Sequence, residues 1–362
     1  MTAERLPSAQ QSAKVAMKLI IQIPCLNEEK TLPATLADLP TEIDGVDEIE
    51  VLIIDDGSTD RTVEVARQHG VRHIVQNKRN IGLARSFREG LDYCLRHGAD
   101  IIVNTDGDNQ YAGWDIPRLI EPILQGRAQI VVGDRQTGKI CHFSGCKKLL
   151  QRAGSCMVRC LSDVDIPDAV SGFRAISREA ALKINIVSPF SYTTEMLIQA
   201  GKKHLAVASV PVDTNPKLRE SRLFTSIPGF IKKQLSTMVR MYAMYQPLRV
   251  CFYIGTVLLL IGLVPIARFL FMYFTGSGEG HIQSLVLGGA FMVLGMVAYM
   301  FGIIADIVNF NRQLMEMTLE KVRRIELGEA LQPAAGPAAP TAPEREGKRK
   351  ISRWNIPRKT AS

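Results

Sequence analysis

The sequence predicts an α/β fold, a mostly parallel sheet with helices on both faces, followed by an interfacial helix and two transmembrane helices. Three observations carry this expectation. From Lys18 onward, short apolar runs alternate with segments of helical periodicity. Three of the runs end in acidic or polar clusters, as strands do when their carboxyl ends face a ligand crevice. Arg249 and Arg268 bracket eighteen uncharged residues, and His281 and Asp306 bracket twenty-four, lengths that match the hydrocarbon thickness of a bilayer.

Lys18 to Pro24 and Glu50 to Ile54 read as buried strands, the second ending at Asp55-Asp56-Gly57-Ser58. Between them Leu26, Leu32, Leu36 and Leu39 recur at helical spacing, which predicts a helix within Asn27 to Leu39. Ser58 or Asp60 is placed to cap a helix from Thr62 to His69. The rhythm continues with a strand at His73 to Val75, a helix at Leu83 to Arg96, and a strand at Asp100 to Asn104 that stops at Asp106-Gly107-Asp108. A helix at Ile116 to Leu124 with a kink or break at Pro122, a strand at Ile130 to Val132 leading into Gly133-Asp134-Arg135, and a last strand at Leu205 to Val212 complete the series.

Ile227 to Tyr245 mixes Phe230, Ile231, Met238 and Tyr242 with Lys232, Lys233 and Arg240, the composition of a helix lying in a membrane interface. Two spans follow, about Val250 to Phe274 and Ile282 to Phe310, joined by a loop, Thr275 to His281, without Lys or Arg. Both outer flanks are basic, so the positive-inside rule puts them in the cytoplasm. The domain boundaries read as 1–17 disordered, 18–222 the α/β domain, 223–247 interfacial, 248–310 transmembrane, and 311–362 a cytoplasmic helix with a disordered basic tail.

The chain of 362 residues carries a formal charge of +8, with no zinc-finger, RNA-binding or basic-zipper signature, which argues against nucleic acid. Seven cysteines without a C-x-x-C read as reduced cytosolic thiols; Cys141, Cys146, Cys156 and Cys160 cluster in sequence without a clear metal-site pattern. Met1 to Met17 lacks the apolar core of a secretory signal.

Asp106-Gly107-Asp108 places two carboxylates in one turn, where they can share Mg²⁺ or Mn²⁺ with a diphosphate. Alone the motif is weak; its weight comes from Pro24-Cys25-Leu26-Asn27-Glu28-Glu29 and Asp55-Asp56-Gly57-Ser58-Thr59-Asp60 at neighbouring strand ends.

On these segments, together with Asn80-Ile81-Gly82-Leu83-Ala84, Asp106-Gly107-Asp108-Asn109-Gln110 and Ser171-Gly172-Phe173-Arg174, the chain from residue 18 to about 222 resembles the family-2 glycosyltransferases of the GT-A fold. It is most similar to the polyprenyl-phosphate (dolichol-phosphate) mannosyl- and glucosyltransferase branch, whose bacterial members also carry two C-terminal spans. The resemblance implies that Pro24, Asn27 and Glu28 line a nucleotide pocket and that Asp55 or Asp56 meets the base or ribose. It implies that Asp106, Asp108 and Gln110 hold the metal and diphosphate, that Arg135 faces the phosphates, and that Arg219 and Arg222 belong to a basic loop closing over the site toward an acceptor phosphate. The family usually has Gly and Lys where Glu220 and Arg222 stand.

An acceptor phosphomonoester is largely anionic at neutral pH and needs no general base. A hydroxyl acceptor needs one, often an Asp in a Glu-Asp pair; here the candidate segment is Thr193-Thr194-Glu195-Met196, without the Asp. The Q-x-x-R-W signature of processive synthases is also absent. The expectation is therefore a membrane-anchored, metal-dependent inverting transferase moving one sugar from a GDP- or UDP-linked donor to polyprenyl phosphate at the cytoplasmic face, as a homo-oligomer. The alternatives are a transferase with a hydroxyl acceptor on a lipid or glycan, and a non-catalytic membrane scaffold that binds nucleotide.

Overall fold

The computed structural model describes residues 16–136, 164–187, 192–216, 244–275 and 282–329. Nearly all of the expected interfacial helix, the cysteines from Cys141 to Cys160, Arg219, Arg222 and the C-terminal tail lie outside the described residues.

Seven strands form one sheet: β1 (Lys18–Cys25), β2 (Glu48–Asp55), β3 (His73–Gln76), β4 (Ile101–Asn104), β5 (Ile130–Asp134), β6 (Arg174–Ser177) and β7 (Val207–Pro211). Their order is β3-β2-β1-β4-β6-β5-β7. β1 pairs in parallel with β2 and β4, β2 with β3, and β5 with β7; β6 alone runs antiparallel, between β4 and β5. The expected mostly parallel sheet is thus present, with one reversed strand that alternating strands and helices did not announce.

Apolar side chains leave both faces because both are covered, which is why these strands read as continuous apolar runs. Leu19, Ile21 and Ile23 of β1 pack on one side with α1 (Leu32–Ala37), α2 (Thr62–Gln68) and α4 (Ile116–Leu124). Ile20, Leu52 and Ile54 pack on the other with α3 (Leu83–Arg96), α5 (Arg178–Lys183) and α6 (Tyr192–Lys202). The period-two alternation along β1 sorts its residues between the two layers.

Several expected elements change length. The first helix is confined to Leu32–Ala37, because Asn27 adopts a left-handed φ of 55° and Glu28 to Thr31 form a turn, with the Glu28 carbonyl accepting from the amides of Thr31 and Leu32. Neither Ser58 nor Asp60 occupies the N-cap of α2; that position is Arg61, while the Asp60 carboxylate accepts the Thr62 amide at 3.0 Å. Pro122 does not break α4, since so near the C-terminus it forfeits only one helical hydrogen bond. β6, α5 and α6 had no counterpart in the sequence reading.

The C-terminal region is a hairpin of two long apolar helices, α7 (Pro247–Phe274) and α8 (Ile282–Glu326), each long and apolar enough to cross a membrane. The sequence divided the second at Phe310; the structure makes it one helix of 45 residues, about 68 Å long. The two pack through glycines: the buried positions of α8 are Gly288, Gly295 and Gly302, and those of α7 include Gly255 and Gly262. A Cβ on Gly295 would stand 2.8 Å from the Leu259 side chain and 3.0 Å from the Gly255 carbonyl oxygen. Small residues here let the two backbones touch, the main source of helix attraction where lipid removes the hydrophobic effect.

Gly295→Leu therefore separates the hairpin and costs about 1–3 kcal/mol or more, read as a lower thermal midpoint of the full chain in detergent. Gly289→Leu, at a helix position with nothing within 4 Å of the added Cβ, leaves that midpoint unchanged.

Candidate active site

The crevice lies beyond the carboxyl ends of β1, β2 and β4, where the strand order turns back on itself and an open α/β sheet offers its ligand site. Three loops meet there, and side chain to backbone bonds lace the first two together. Asn27 Oδ1 accepts the Thr59 amide at 2.7 Å, Ser58 Oγ accepts the Asn27 amide at 2.9 Å, and Thr62 Oγ1 accepts the Glu28 amide at 2.8 Å. The buried Glu28 carboxylate accepts the Thr31 hydroxyl at 2.7 Å, and that hydroxyl also lies 2.9 Å from the Gly107 carbonyl oxygen in the third loop. Asn27 and Glu28 are thus structural partners of the loops as well as candidate lining residues, and Pro24 holds its place in β1 opposite Ile54.

Asp55 and Asp56 divide their work. Both oxygens of Asp56 are engaged, accepting the amides of Ile81 at 2.8 Å and Gly82 at 3.0 Å, so this carboxylate anchors the loop into α3. Asp55 is fully buried; its Oδ1 accepts the Ser58 amide at 3.1 Å, and its Oδ2 has no hydrogen-bond partner among the described residues. A buried acceptor left in that state costs about 1–3 kcal/mol, which a ligand N–H or O–H can recover.

Asp106, Gly107 and Asp108 turn directly after β4, with Asp108 Oδ1 accepting the Gln110 amide at 3.2 Å and Asn109 at a φ of 55°. The Gln110 carbonyl accepts the Asn215 amide at 2.9 Å, which ties the turn to the segment after β7. Carboxylates gather around this point. Burial pushes the Cys25 thiol well above its ordinary pKa, and Glu28, Asp55, Asp106 and Asp60 push it further in the same direction. The crevice is electronegative and suited to a cation. Among the described residues no group of three or more His, Cys, Asp or Glu forms a complete protein cage, a donor set that fits Mg²⁺ or Mn²⁺, which takes one or two carboxylates and completes its shell with water and phosphate oxygens.

Gly172, from the segment before β6, lies so close to Asp106 that a side chain there would crowd it. A Cβ there would lie 3.2 Å from both Asp106 oxygens and 3.1 Å from the Tyr192 hydroxyl. The glycine is pinned: its amide donates to the Tyr111 hydroxyl at 3.0 Å, and its carbonyl accepts from Asn104 Nδ2 at 2.9 Å. Asn104 in turn accepts from Gln22 Nε2 at 3.0 Å, and both side chains are fully buried. Burial, with Asp106 adding to it, holds the Tyr192 phenol far above its usual pKa, so it stays a neutral hydroxyl.

Arg135 lies at the edge of this group with its guanidinium committed to Asp168: Nε donates to Oδ2 at 2.7 Å and Nη2 to Oδ1 at 3.0 Å. Burial opposes its charge, but the Tyr111 oxygen, Asp168 and Asp106 outweigh that and hold its pKa above the ordinary arginine value. The fork expected to face phosphates is therefore shared with a buried carboxylate, leaving the Nη1 edge. Sequence reasoning missed Asp168, Tyr111, Tyr192 and Asn104; the position of Asn104 at a strand end was the only signal available for any of them. Glu195, considered as a base, is buried in α6, where its oxygens accept the Val187 amide at 3.2 Å and Gln199 Nε2 at 3.3 Å.

Arg174 is completely buried and fans out to three carbonyls: Nε to Ser171 at 2.8 Å, Nη1 to Thr193 at 2.7 Å and Nη2 to Ala169 at 2.8 Å. Burial lowers its pKa to about 10, so it remains charged at neutral pH. Arg174→Met leaves three buried carbonyls unpaired and costs on the order of 3–5 kcal/mol, a fall of roughly 10 °C in thermal midpoint. Arg174→Lys recovers little, because an ammonium cannot reproduce the planar fan; an unchanged midpoint in both variants would show that the contacts hold nothing in place.

Residues 20–184 match the family model described as glycosyl transferase family 2. The chain is 26% identical over 224 residues to undecaprenyl-phosphate mannosyltransferase of Micrococcus luteus, covering 59% of this chain and 90% of that protein. It is 30% identical over 205 residues to an uncharacterized protein of Methanocaldococcus jannaschii, covering 54% of this chain and 81% of the relative. Among solved structures, glucosyl-3-phosphoglycerate synthase from Mycobacterium tuberculosis, crystallised with Mn²⁺, UDP-glucose and phosphoglyceric acid, is similar in fold, with a TM-score of 0.50, 23% identity and coverage of 66% of this chain and 85% of that one. With the sheet, the acidic crevice and these likenesses in agreement, the chain belongs to glycosyl transferase family 2.

Proposed function

We propose that this glycosyltransferase moves one hexose from a nucleoside-diphosphate sugar to a polyprenyl phosphate held in the bilayer, at its cytoplasmic face. The observation that carries the reading is the Asp106-Gly107-Asp108 turn, closely approached by Gly172 and beside Arg135, in a chain that also carries two helices fit to span a membrane. The name of the Micrococcus luteus relative supports the acceptor class.

In this reading the donor's nucleoside enters the pocket bordered by Pro24, Asn27 and Glu28, and a base N–H or ribose O–H satisfies Asp55 Oδ2. Asp56 serves by fixing the loop. Asp106 and Asp108, with Gln110, are the residues that would hold Mg²⁺ or Mn²⁺, and the ion when bound supplies positive charge to the leaving diphosphate. The acceptor phosphate oxygen attacks the anomeric carbon as the bond from that carbon to the β-phosphate oxygen breaks, with inversion. An anionic phosphate needs no proton removed, which agrees with Glu195, the base candidate read from the sequence, being buried and engaged. The Nη1 edge of Arg135, with Arg219 and Arg222, is assigned to the acceptor phosphate, whose geometry suits planar arginine forks.

The test is incubation of the purified full chain with GDP- and UDP-sugars and undecaprenyl phosphate, with extraction of glycolipid into organic solvent. A labelled product forms with one donor class, and Asp106→Asn or Asp108→Asn lowers its rate by about a hundredfold or more. Equal transfer to polyprenol without phosphate would replace the acceptor with a hydroxyl. For sidedness, a cysteine at Ser277 reacts with an impermeant thiol reagent applied outside intact cells; labelling only after the membrane is opened would reverse the topology.

A further inference from the structure

The long helix α8 does more than meet the requirements of a membrane span: its last part is joined to the α/β domain by a series of side-chain pairs. Arg323 pairs with Asp92 of α3 at 3.3 Å and donates to the Ile184 carbonyl at 3.2 Å. Glu326 pairs with Arg96 at 2.9 Å, and Glu329 with Arg178 at 2.6 Å, the same arginine that donates to the carbonyls of Leu95 and Ala99. Nearer the spans, Glu316 meets Lys203 at 3.0 Å, and Arg312 lies over the Tyr245 ring at 4.3 Å, just before α7 begins. Arg323 and Glu326 of α8 thus meet Asp92 and Arg96 of α3 in the same order, so at this point the two helices run in the same sense.

That register measures height. Leu83, the first residue of α3, precedes Asp92 by nine positions, and nine positions before Arg323 on α8 is Leu314. Ile282 to Phe310 is about 43 Å of helix, enough for a bilayer with both headgroup layers, roughly 40–45 Å. The start of α3 is thus level with a point about 6 Å beyond the membrane surface, within reach of extended basic side chains. Since α3 begins at the carboxyl ends of the strands, the end that faces lipid is the end that carries the crevice.

The surface at that end has the matching chemistry. Lys78, Arg79, Arg85 and Arg88 are all exposed, and none forms an ion pair among the described residues. Leu83, in their midst, is 39% exposed. We infer that this patch, Lys78, Arg79, Leu83, Arg85 and Arg88, is a docking surface for anionic phospholipid headgroups, set at their depth by α8 acting as a strut. Each basic residue near an anionic leaflet strengthens the attraction about fivefold, and the exposed leucine can seat at the interface. The inference rests on the reading that α7 and α8 span the membrane and deepens the proposed function, since it brings the crevice to where a lipid acceptor presents its phosphate.

The test uses the full chain in nanodiscs of phosphatidylcholine and phosphatidylglycerol that include a nickel-chelating lipid as a headgroup-level quencher. A fluorescent amino acid is placed at Asn80, beside the patch, or at Gln68, at the opposite end of the sheet. Quenching severalfold stronger at position 80 than at position 68, and weaker at 80 when phosphatidylglycerol is omitted, is the expected result. Equal quenching at both positions would overturn the orientation. The combined variant Lys78→Glu, Arg79→Glu, Arg85→Glu and Arg88→Glu loses the dependence on phosphatidylglycerol; if it keeps that dependence and instead loses nucleoside-diphosphate binding by calorimetry, the cations serve the donor and the lipid surface is refuted. Should that variant not fold, the comparison of positions 80 and 68 in the native sequence still decides. The readout involves no turnover, so it stands even if the acceptor proves to be a hydroxyl.

Discussion

A guanidinium without access to water organises the crevice. Arg174 sits in β6 with no carboxylate paired to it among the described residues, and three backbone carbonyls take up its charge. Burying a cation is tolerable only when its donors are all satisfied, and each carbonyl must therefore stay where the arginine needs it. Two of them belong to the segment Ala169 to Ser171, and the third belongs to Thr193 at the start of α6. Fixing those backbones fixes their neighbours: Asp168, which receives Arg135; Gly172, which faces Asp106; and Tyr192, which stacks on Phe87 of α3 with ring centroids 4.1 Å apart. The reversed strand β6 is what carries Arg174 into the middle of the sheet.

The crevice pairs this cationic interior with an acidic mouth. Asp55, Asp60, Glu28 and Asp106 act together on Cys25, and like charges so close work against folding unless hydrogen bonds hold them. Most of these carboxylates receive amide or hydroxyl donors from the adjoining loops, so part of their charge is already stabilised before any ligand arrives. The exception is the second oxygen of Asp55, whose desolvation is uncompensated within the described chain. A protein that leaves a buried acceptor unmet at the end of a central strand gains from a donor group that meets it, and the gain is selective because a ligand lacking that group leaves the penalty in place.

How much of this was legible depended on the length and repetition of each signal. β1, β2 and β4 were readable because strands covered on both faces are unbroken apolar runs, and their loops stood out by the abrupt change to Asp, Asn and Gly. α3 was readable from fourteen residues of consistent periodicity. β6 and α5 were not: β6 is as short as β4 but begins on Arg174 and ends on Ser177 instead of reading as an apolar run, and the six residues of α5 are too few for a helical period to declare itself. The first helix was overextended because leucine spacing does not reveal that Asn27 turns left-handed. Motif resemblance located Arg174 and Gly172 without their physical roles: a fully buried arginine and a glycine needed for clearance are properties of three-dimensional neighbours. Arg135 looked like a free phosphate ligand for the same reason, since its partner Asp168 lies across an interval of sequence with no periodic link to it.

The ion pairs that join α8 to the α/β domain bear on the kind of catalysis the chain can perform. A flexible tether would let the crevice sample many heights and orientations over the bilayer, and the entropy of finding the productive one would fall on each encounter with the acceptor. In the arrangement inferred above, the strut removes that search in advance. The ion pairs of α8 and of Glu329 just beyond it reach Asp92 and Arg96 of α3, Arg178 of α5 and Lys203 just after α6, and these three helices pack on the sheet face behind the crevice. Exposed pairs such as Arg96 with Glu326 are individually weak. Spread from Glu316 to Glu329, fewer than four turns of helix, they act together on the angle of α8, so their effect on orientation exceeds their effect on stability. A headgroup confined to a plane and a crevice held at a fixed distance from that plane leave lateral diffusion as the remaining search, and this arrangement favours an acceptor that never leaves the membrane.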